Sequence, residues 1–249
     1  MDYNSKREKY WDRSAETNSR YSASGIRAYP EPINRYRKEA LFSTINTVLK
    51  AQSIELPDLR ILDAGCGTGA YAEFYANAGV DLHGVDISSK SLTAIRAARI
   101  PGTYTQARLD NLPYSDETFD LVHCFSVLYH ILDDNEWINS LAELQRVTRP
   151  GGWLLLRIEW VDKSRRPASH VKHRPRNKYL NQLVEEGPFS LEHVEHFADV
   201  PMFEQLTAKL PGLDITGARL FILFSLLAIN LDLFHENPDQ RILLLRKHP

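Results

Sequence analysis

The spacing of hydrophobic positions changes along the chain, first following a helical period and then alternating between strand and helix patterns. Leu41, Ile45, Val48 and Leu49 recur at helical spacing, which predicts an amphipathic helix over 37–51. Downstream of this helix, short apolar runs alternate with segments of helix length. This alternation is typical of βαβ units and therefore predicts an α/β fold with a parallel sheet.

The alternating region predicts most of the elements of such a fold. Its strands are expected at 60–63, 81–86, 103–108, 119–125 and 153–160, and its helices at 70–78, 88–98 and 136–147. Further along, we predict a helix over 202–210, a strand within 213–223 and a final strand at 241–246. The segment 224–238 fits a helix or a strand equally well.

Two segments do not follow this rhythm. Residues 1–40 are polar with interleaved aromatic side chains, and we predict that they form a helical lid on the main domain at 41–249. The alternative is that these aromatics only dock the segment on the core. We predict a substrate-side insertion at about 161–200, where 161–178 alone carries seven Lys or Arg residues and one acid, a local charge of +6.

Composition narrows the class of protein. A formal net charge of −2 does not produce the positive electrostatic potential that favours binding to nucleic acid. Only two cysteines occur, and no Cys/His spacing indicates a metal site. The amino terminus lacks the apolar run of a signal peptide, and the longest apolar run, 220–229, is shorter than the roughly 18 residues of a membrane span. The expected location is the cytoplasm.

The most informative motif is a glycine loop between the first strand and the first helix of the α/β region. Gly65, Gly67 and Gly69 let the backbone turn and approach a ligand, and the following helix start offers N–H donors to a carboxylate. Asp63 could meet an ammonium group, and Asp86, at the end of the next strand, a ribose. S-adenosylmethionine carries all three groups, whereas NAD places a pyrophosphate near Asp63. A nicotinamide oxidoreductase is therefore the weaker alternative.

Four motifs in this order resemble those of the class I methyltransferases, in particular the group similar to ubiquinone and menaquinone biosynthesis methyltransferases. They are LDAGCGTG at 62–69, VDIS at 85–88, DNLPY at 110–114 with FDLV at 119–122, and RPGG at 149–152. The resemblance covers about 55–160. It implies a Rossmann-like fold, a seven-stranded and mostly parallel sheet with helices on both faces, and S-adenosylmethionine as the cofactor.

The same resemblance, together with the loop chemistry, gives a set of expected cofactor contacts. Asp110 matches the acid that contacts the adenine amino group, and Phe125 is expected to wall the cofactor. The full expected set is Asp63, Ala64, Gly65, Gly67, Asp86, Ile87, Asp110, Asn111, Leu112, Phe125 and, from the lid, Tyr21.

The segment 125–130 directly follows the fourth strand, at the sheet edge where open α/β sheets bind ligands. We expect His130 to act as the base, with Tyr129 beside it, because an imidazole with an ordinary pKa of about 6.5 suits proton transfer near neutrality. The alternative is that His130 packs beneath Tyr129. His123 lies inside the strand and is assigned a structural role.

These observations predict methyl transfer from S-adenosylmethionine to an oxygen or nitrogen of a small molecule, such as a sugar or secondary metabolite. The basic run at 161–178 would hold an anionic acceptor, or it is a solvated loop balanced by the acidic stretch at 185–204. The same run keeps a tRNA or rRNA methyltransferase as an alternative, although no separate RNA-binding module is present. A non-catalytic cofactor-binding protein is the third alternative. The oligomeric state is not indicated.

Overall fold

A seven-stranded sheet organises the part of the chain that the computed structural model describes, namely residues 3–17, 31–196 and 239–249. The predicted helix at 202–210 and strand at 213–223 lie outside these residues. The strands, in chain order, are β1 (Arg60–Ala64), β2 (Asp81–Asp86), β3 (Thr103–Gln106), β4 (Phe119–Phe125), β5 (Thr148–Trp160), β6 (Arg165–Ala168), β7 (Val171–His173), β8 (Phe189–His196) and β9 (Asp239–Lys247).

The sheet has the order β3-β2-β1-β4-β5-β9-β8, and β6 pairs with β7 in a separate hairpin. Neighbouring strands from β3 to β5 are parallel, whereas β9 runs antiparallel to both of its neighbours. The order reverses between β1 and β4, and this reversal opens a crevice at the carboxyl ends of the two strands. The predicted Rossmann-like, mostly parallel sheet is confirmed.

Helices cover both faces of the sheet, which confirms the predicted layers. They are α1 (Tyr3–Thr17), α2 (Glu31–Ala51), α3 (Ala70–Asn77), α4 (Ser89–Ala97), α5 (Asp134–Val147) and α6 (Arg176–Leu180), with a 3-10 turn at Leu128–His130 and a π turn at Asn181–Glu185. On one face, α5 buries Trp137 and Leu144 against the strands. On the other, α2, α3 and α4 bury Ile45, Tyr75 and Ile95.

Helix ends follow the signals in the sequence. The Ser88 side chain accepts a hydrogen bond from the backbone N–H of Ser91 and so begins α4. Asp133 caps α5 in the same way, through the N–H of Glu136. Gly79, at a φ of 77°, follows α3 as a glycine in the left-handed region that ends a helix.

Strand β8 corrects the predicted extent of the insertion. We expected 161–200 to lie outside the sheet, but Phe189–His196 forms its edge and pairs with β9. The pairing slips between Leu191 and His193, so that Glu192 is an extra residue. Apolar positions therefore move from odd to even numbers, from Leu191 to Val194, and the regular alternation that marks a strand is lost.

Three charges of the basic run pair with acids that lie outside the acidic stretch at 185–204. Lys172 and Arg174 both bind the carboxylate of Asp134, at 2.7 and 2.9 Å. Arg176 pairs with Asp162. His170 and His173 lie in the β6–β7 hairpin.

Among the helices of the described ranges, none has the length and apolar character needed to cross a membrane.

Gly69 and Gly79 provide a matched test of how α3 is held. Both have a positive φ, 89° and 77°, but a Cβ on Gly69 would lie 2.7 Å from Ile100 and 2.8 Å from Ile95, while a Cβ on Gly79 meets nothing within 4 Å. Alanine at either position costs about 1–2 kcal/mol for the left-handed backbone. Gly69→Ala should lose about 1–3 kcal/mol more through overpacking. Urea unfolding of both variants measures this difference, and equal losses would contradict it.

Candidate active site

The glycine loop is a closed turn that β2 holds in place. Gly65, Gly67 and Gly69 all have positive φ angles, of 87°, 53° and 89°. The backbone N–H groups of Gly65 and Cys66 donate to the carbonyl of Val85, at 2.8 and 2.9 Å. Gly67 donates to Asp86 Oδ2 at 2.9 Å.

This bonding corrects one expectation about the loop. The N–H of Gly69 also has a partner, the carbonyl of Cys66. The amides of residues 65, 66, 67 and 69 are therefore all used inside the turn and are not the donors that we expected to face a ligand carboxylate. Their role is to hold the loop in shape around the end of β2.

A close approach explains why residue 65 has no side chain. A Cβ on Gly65 would lie 2.2 Å from Cγ2 of Val127, in the segment that follows β4. Only glycine allows the loops after β1 and β4 to meet here, and both loops line the same cavity.

Asp86 is the acid at the centre of this arrangement. Its Oδ1 accepts from the N–H of Ser88 at 2.8 Å, and its Oδ2 accepts from Gly67. Burial raises the pKa of Asp86 to about 6, although the hydrogen bonds from Ser88 and Gly67 act in the opposite direction. A carboxylate has about four acceptor positions. Two therefore remain for ligand hydroxyls.

A cavity of about 150 Å³ lies at this sheet edge and is partly open to solvent. Its wall is formed by the glycine loop, the end of β2 and the segments after β3 and β4, with Tyr71 of α3 and Ser91 of α4. Helix α1 covers a further side. The residues that line the cavity are Arg7, Trp11, Ser14, Ala15, Gly65, Cys66, Gly67, Thr68, Tyr71, Asp86, Ile87, Ser91, Ala107, Arg108, Leu109, Phe125, Ser126, Val127, Tyr129, His130 and Ile131.

Helix α1 is fastened over the cavity largely by polar contacts. Asp12 accepts from the hydroxyl of Ser88 at 2.7 Å, directly beside the end of β2. Arg7 forms an ion pair of 2.5 Å with Glu136, and both side chains are nearly buried. Trp11 packs edge-on against His130, with ring centroids 4.8 Å apart. These contacts give the predicted N-terminal lid a structural basis, at least over α1.

Of the predicted site residues, seven line the cavity together: Gly65, Gly67, Asp86, Ile87, Phe125, Tyr129 and His130. Tyr21 lies outside the described residues. Ala64 is fully buried behind the loop. Asp63 does not line the cavity either, because its Oδ1 is engaged by His123 Nδ1 at 3.2 Å.

The segment after β3 corrects the predicted adenine contacts. Asp110 is held by both guanidinium arms of Arg108, at 2.8 and 2.5 Å, and faces a separate depression on the surface. Burial opposes its ionisation, but Arg108 outweighs burial and keeps the pKa of Asp110 below its ordinary value. Asn111 forms an isolated antiparallel β-bridge with Arg108. Leu112 is buried in the core, and its backbone N–H donates a hydrogen bond to Glu143 Oε2.

The residues of this segment that line the cavity are Ala107, Arg108 and Leu109. They immediately follow β3, so the rule that ligands bind at the carboxyl ends of parallel strands would have found them. The sequence interpretation placed the end of β3 at residue 108, two residues beyond its end at Gln106, and took the expected contacts from the motif at 110–114.

His130 occupies its predicted position but not its predicted chemical state. Burial lowers its pKa to about 4, and the charges of His170, His173 and Arg7 act in the same direction. Its Nδ1 lies 3.0 Å from the carbonyl of His170, which can only accept, so this nitrogen carries the proton. His130 is therefore neutral at pH 7, and the expectation of an ordinary imidazole pKa is wrong.

Ser126 shows how tightly the segment after β4 is turned. It has a φ of 61°, which a residue with a side chain rarely adopts, and its hydroxyl accepts from Arg157 on β5 at 3.0 Å. Burial raises the pKa of the neighbouring Tyr129 above its ordinary value. The phenol of Tyr129 therefore stays protonated near neutrality.

Comparison with known proteins agrees with this geometry. Residues 62–156 match the protein family described as "Methyltransferase domain". The matched segment begins in β1, contains the glycine loop, Asp86 and the segment after β4, and ends within β5. Residues 62–156 are therefore similar to a methyltransferase domain, in the part of the chain that holds the cavity.

Two relatives show how far the similarity of the methyltransferase domain extends. A ubiquinone biosynthesis O-methyltransferase of Bordetella avium is 29% identical over 168 residues, which are 64% of this chain and 64% of that protein. A malonyl-[acyl-carrier protein] O-methyltransferase of Pectobacterium atrosepticum is 36% identical over 98 residues, 38% of this chain and 36% of that protein. The chain thus spans less than two thirds of the length of each.

Solved structures share the fold of the methyltransferase domain. An S-adenosylmethionine-dependent methyltransferase from Mesorhizobium loti aligns with a TM-score of 0.55 and 25% identity, covering 81% of this chain and 96% of that one. A magnesium protoporphyrin IX methyltransferase from Synechocystis, with bound S-adenosylmethionine, aligns with a TM-score of 0.65 and 17% identity over 99% and 98% of the two chains.

The residues of the methyltransferase domain fit S-adenosylmethionine. Asp86 keeps acceptor positions for the two ribose hydroxyls, and glycine at 65 keeps the loop free of a side chain beside the cavity. Asp63 Oδ2 is buried behind the loop, with no hydrogen-bond partner among the described residues. Two acids near the loop would repel a pyrophosphate.

Asp86→Ala should weaken S-adenosylhomocysteine binding by about 1.5–3 kcal/mol, because it removes charge-assisted hydrogen bonds to the ribose. Asp81→Ala is the matched control, since Asp81 lies on the same strand but pairs with Arg60 at the surface. Isothermal titration calorimetry of both variants measures the loss. Unchanged affinity in Asp86→Ala would remove the ribose assignment.

Cofactor affinity should also depend on pH. Because the pKa of Asp86 is raised to about 6, its carboxylate is charged above that pH and protonated below it. The affinity should therefore be highest above pH 7 and fall by up to about tenfold per unit below pH 6. Titrations from pH 5 to 8 with S-adenosylhomocysteine measure this dependence. Asp86→Asn should remove it, and a flat wild-type profile would speak against it.

Proposed function

We propose that this protein transfers the methyl group of S-adenosylmethionine to an oxygen or nitrogen of a small-molecule acceptor that is already nucleophilic at neutral pH. The observation that carries the proposal is the single cavity in which Asp86 and the glycine loop lie at one side and Trp11, Tyr129 and His130 at another. When bound, the cofactor supplies a methyl group on a sulfonium centre, which an acceptor displaces in line.

The contribution of the chain is chiefly alignment. The ring centroids of Trp11 and His130 lie 4.8 Å apart, so helix α1 and the 3-10 turn contact one another at the cavity. The wall formed by Phe125 and Tyr71 is apolar and buried. Orientation of this kind supplies most of the acceleration in a displacement, and exclusion of water protects it.

The cavity offers weak bases among its described residues. His130 has a pKa lowered to about 4, and burial raises the pKa of both Tyr129 and Cys66, so that neither ionises readily. Asp86 is committed to the loop and the ribose. A weak base such as His130 assists an acceptor that loses its proton easily, for example a phenol or carboxylic acid, better than it assists an aliphatic alcohol. We therefore retain His130 as the residue that accepts or orients the acceptor's hydrogen, with Tyr129 beside it.

Positive charge favours an anionic acceptor. Arg7 and Arg108 line the cavity, and Lys163, Arg165 and Arg166 are exposed on the hairpin side. Arg166 and Arg108 also line the same neighbouring depression. An anion would be drawn along this path to the cavity. The names of the relatives support an oxygen nucleophile, since both are O-methyltransferases.

An RNA acceptor is less well supported. Lys172, Arg174 and Arg176 of the basic run are engaged by Asp134 and Asp162, which leaves a small patch and no extended basic stripe in the described residues. The cytoplasm stays the predicted location.

The direct test is methyl transfer from radiolabelled S-adenosylmethionine to panels of carboxylic acids, phenols, amines and sugars, with bulk tRNA as a separate arm. Label should appear in a phenol or carboxylate and not in tRNA. Tight cofactor binding without transfer to any arm would favour the non-catalytic alternative.

His130→Ala should lower kcat by about 10²-fold or more, in the usual range for a group that assists proton transfer, and leave cofactor affinity unchanged. The pH–rate profile of the wild type should show no inflection near 6.5, because the pKa of His130 lies near 4. Steady-state kinetics on the acceptor found above measure both. An unaltered kcat would exclude His130 from the reaction.

Replacing Arg165 and Arg166 with glutamine should raise KM for an anionic acceptor several-fold at low salt and leave kcat unchanged, because exposed charges act mainly on encounter. The effect should fade near 0.5 M salt, where screening is strong. Lys50→Gln, which removes an exposed charge at the end of α2, is the control. An unchanged KM at low salt would show that Arg165 and Arg166 have no role in acceptor capture.

A further inference from the structure

The β6–β7 hairpin packs against one wall of the cavity, where it meets His130. The Nδ1 of His130 lies 3.0 Å from the carbonyl oxygen of His170, which is in the turn of the hairpin. The two imidazole rings are stacked, with an interplanar angle of 8° and centroids 5.5 Å apart. His170 also packs on Tyr10 of helix α1, at 5.2 Å between ring centroids. The hairpin therefore contacts both the 3-10 turn and the helix that line the cavity.

The main chain of the hairpin determines which tautomer of His130 is present. A carbonyl oxygen only accepts hydrogen bonds, so the single proton of the neutral ring is on Nδ1 and the lone pair is on Nε2. The other tautomer would set the lone pair of Nδ1 against the carbonyl oxygen and lose this bond. Because His130 lines the cavity, the ring nitrogen that can take a proton from a ligand there is Nε2.

Arg174, which directly follows β7, joins the hairpin to this wall. Its side chain is fully buried, and its guanidinium lies over the ring of Trp137 at 4.7 Å. Nε donates to the carboxylate of Asp134 at 2.9 Å. Nη2 donates to the carbonyls of Leu132 and Asp133, at 3.4 and 3.2 Å. These acceptors lie two to four residues after the 3-10 turn, so Arg174 binds the segment that continues from it.

A guanidinium inside the protein is a costly way to join two segments. Taking its charge out of water is unfavourable, and buried ion pairs are often replaced by apolar side chains without loss of stability. What Arg174 adds is direction, because its hydrogen bonds fix the hairpin relative to residues 132–134 and thereby place the carbonyl of His170. Lys172 repeats the attachment, with bonds to Asp134 at 2.7 Å and to the carbonyl of Leu132 at 3.3 Å.

We propose that Arg174 is a positioning residue for the acceptor: by anchoring the β6–β7 hairpin, it places the carbonyl of His170 so that His130 keeps its proton on Nδ1 and offers Nε2 to the acceptor. This inference rests on the proposed function, because it requires an acceptor in the cavity. It gives a role to a residue of the basic run whose charge is buried and therefore cannot attract an anion from solvent.

The groups around His130 make its titration a measure of this anchoring. Burial lowers the pKa of His130 to about 4. His170 and His173 on the hairpin and Arg7 on α1 act in the same direction, whereas the bond to the His170 carbonyl opposes them. Tyr129 is protonated near neutrality and adds no charge. Release of the hairpin removes burial, the largest cause, so the pKa of His130 should rise toward its ordinary value of about 6.5.

The test compares two arginines of the same segment. Arg174→Met removes the guanidinium and keeps an unbranched chain, and Arg176→Met is the matched control, because Arg176 pairs with Asp162 outside this contact. Nitrogen-15 NMR of the full chain with labelled histidine reports tautomer and titration without any acceptor, and His130→Ala identifies the signal. Wild type and Arg176→Met should show the proton on Nδ1 and no titration midpoint between about pH 5.5 and 8.

Arg174→Met should show both tautomers and a midpoint between about pH 5.5 and 6.5. With an acceptor, its kcat should fall about tenfold or more through loss of orientation, while S-adenosylhomocysteine affinity stays unchanged. A folded Arg174→Met with the wild-type tautomer and midpoint would overturn the proposal, as would wild type with the proton on Nε2.

If Arg174→Met does not fold, Asp134→Asn replaces it, since this change removes the carboxylate that both Lys172 and Arg174 bind. The midpoint of His130 must rise in Asp134→Asn as well, and an unchanged midpoint there would overturn the proposal. Absence of methyl transfer by a wild type with the expected tautomer would refute the proposed function. Methyl transfer together with an unchanged midpoint in Arg174→Met would refute only the positioning role.

Discussion

The contact between Gly65 and Val127 is the constraint on which the site depends. It brings together the loops that follow β1 and β4, and a single methyl group at 65 would lie 2.2 Å from Val127. The approach requires a left-handed backbone at 65, which is stabilised by the bonds from Gly65 and Cys66 to Val85. The sheet order, the loop conformation and the shape of the cavity therefore depend on one another.

The acid that completes the site is held by the same turn. Asp86 accepts hydrogen bonds from Gly67 and Ser88, which order the loop, and its loss of solvent raises its pKa against the effect of these bonds. Asp12 of α1 bonds to the Ser88 hydroxyl, one step from this carboxylate. Helix α1 is thus connected to Asp86 through a cap residue, so that two sides of the cavity share one hydrogen-bond network.

The fold was largely predictable because its strands are short apolar runs with clear glycine and serine boundaries. Strand β8 was not, since the bulge at Glu192 destroys the alternation that identifies an edge strand. In the site, Gly65, Gly67, Asp86 and Phe125 follow from motif position alone. The state of His130 does not, because its lowered pKa depends on burial by Trp11 and by the hairpin residue His170, which lie far away in sequence. The position of Asp110 does not follow from its motif either, because its carboxylate pairs with Arg108.

The most direct test of the whole account is which nucleotide cofactor the purified protein binds. Equilibrium titration with S-adenosylhomocysteine and with NAD under identical conditions separates a pocket built for an amino-acid end from one built for a pyrophosphate. Saturable one-to-one binding of S-adenosylhomocysteine and none of NAD is the predicted result. Binding of NAD in preference to S-adenosylhomocysteine would contradict the account.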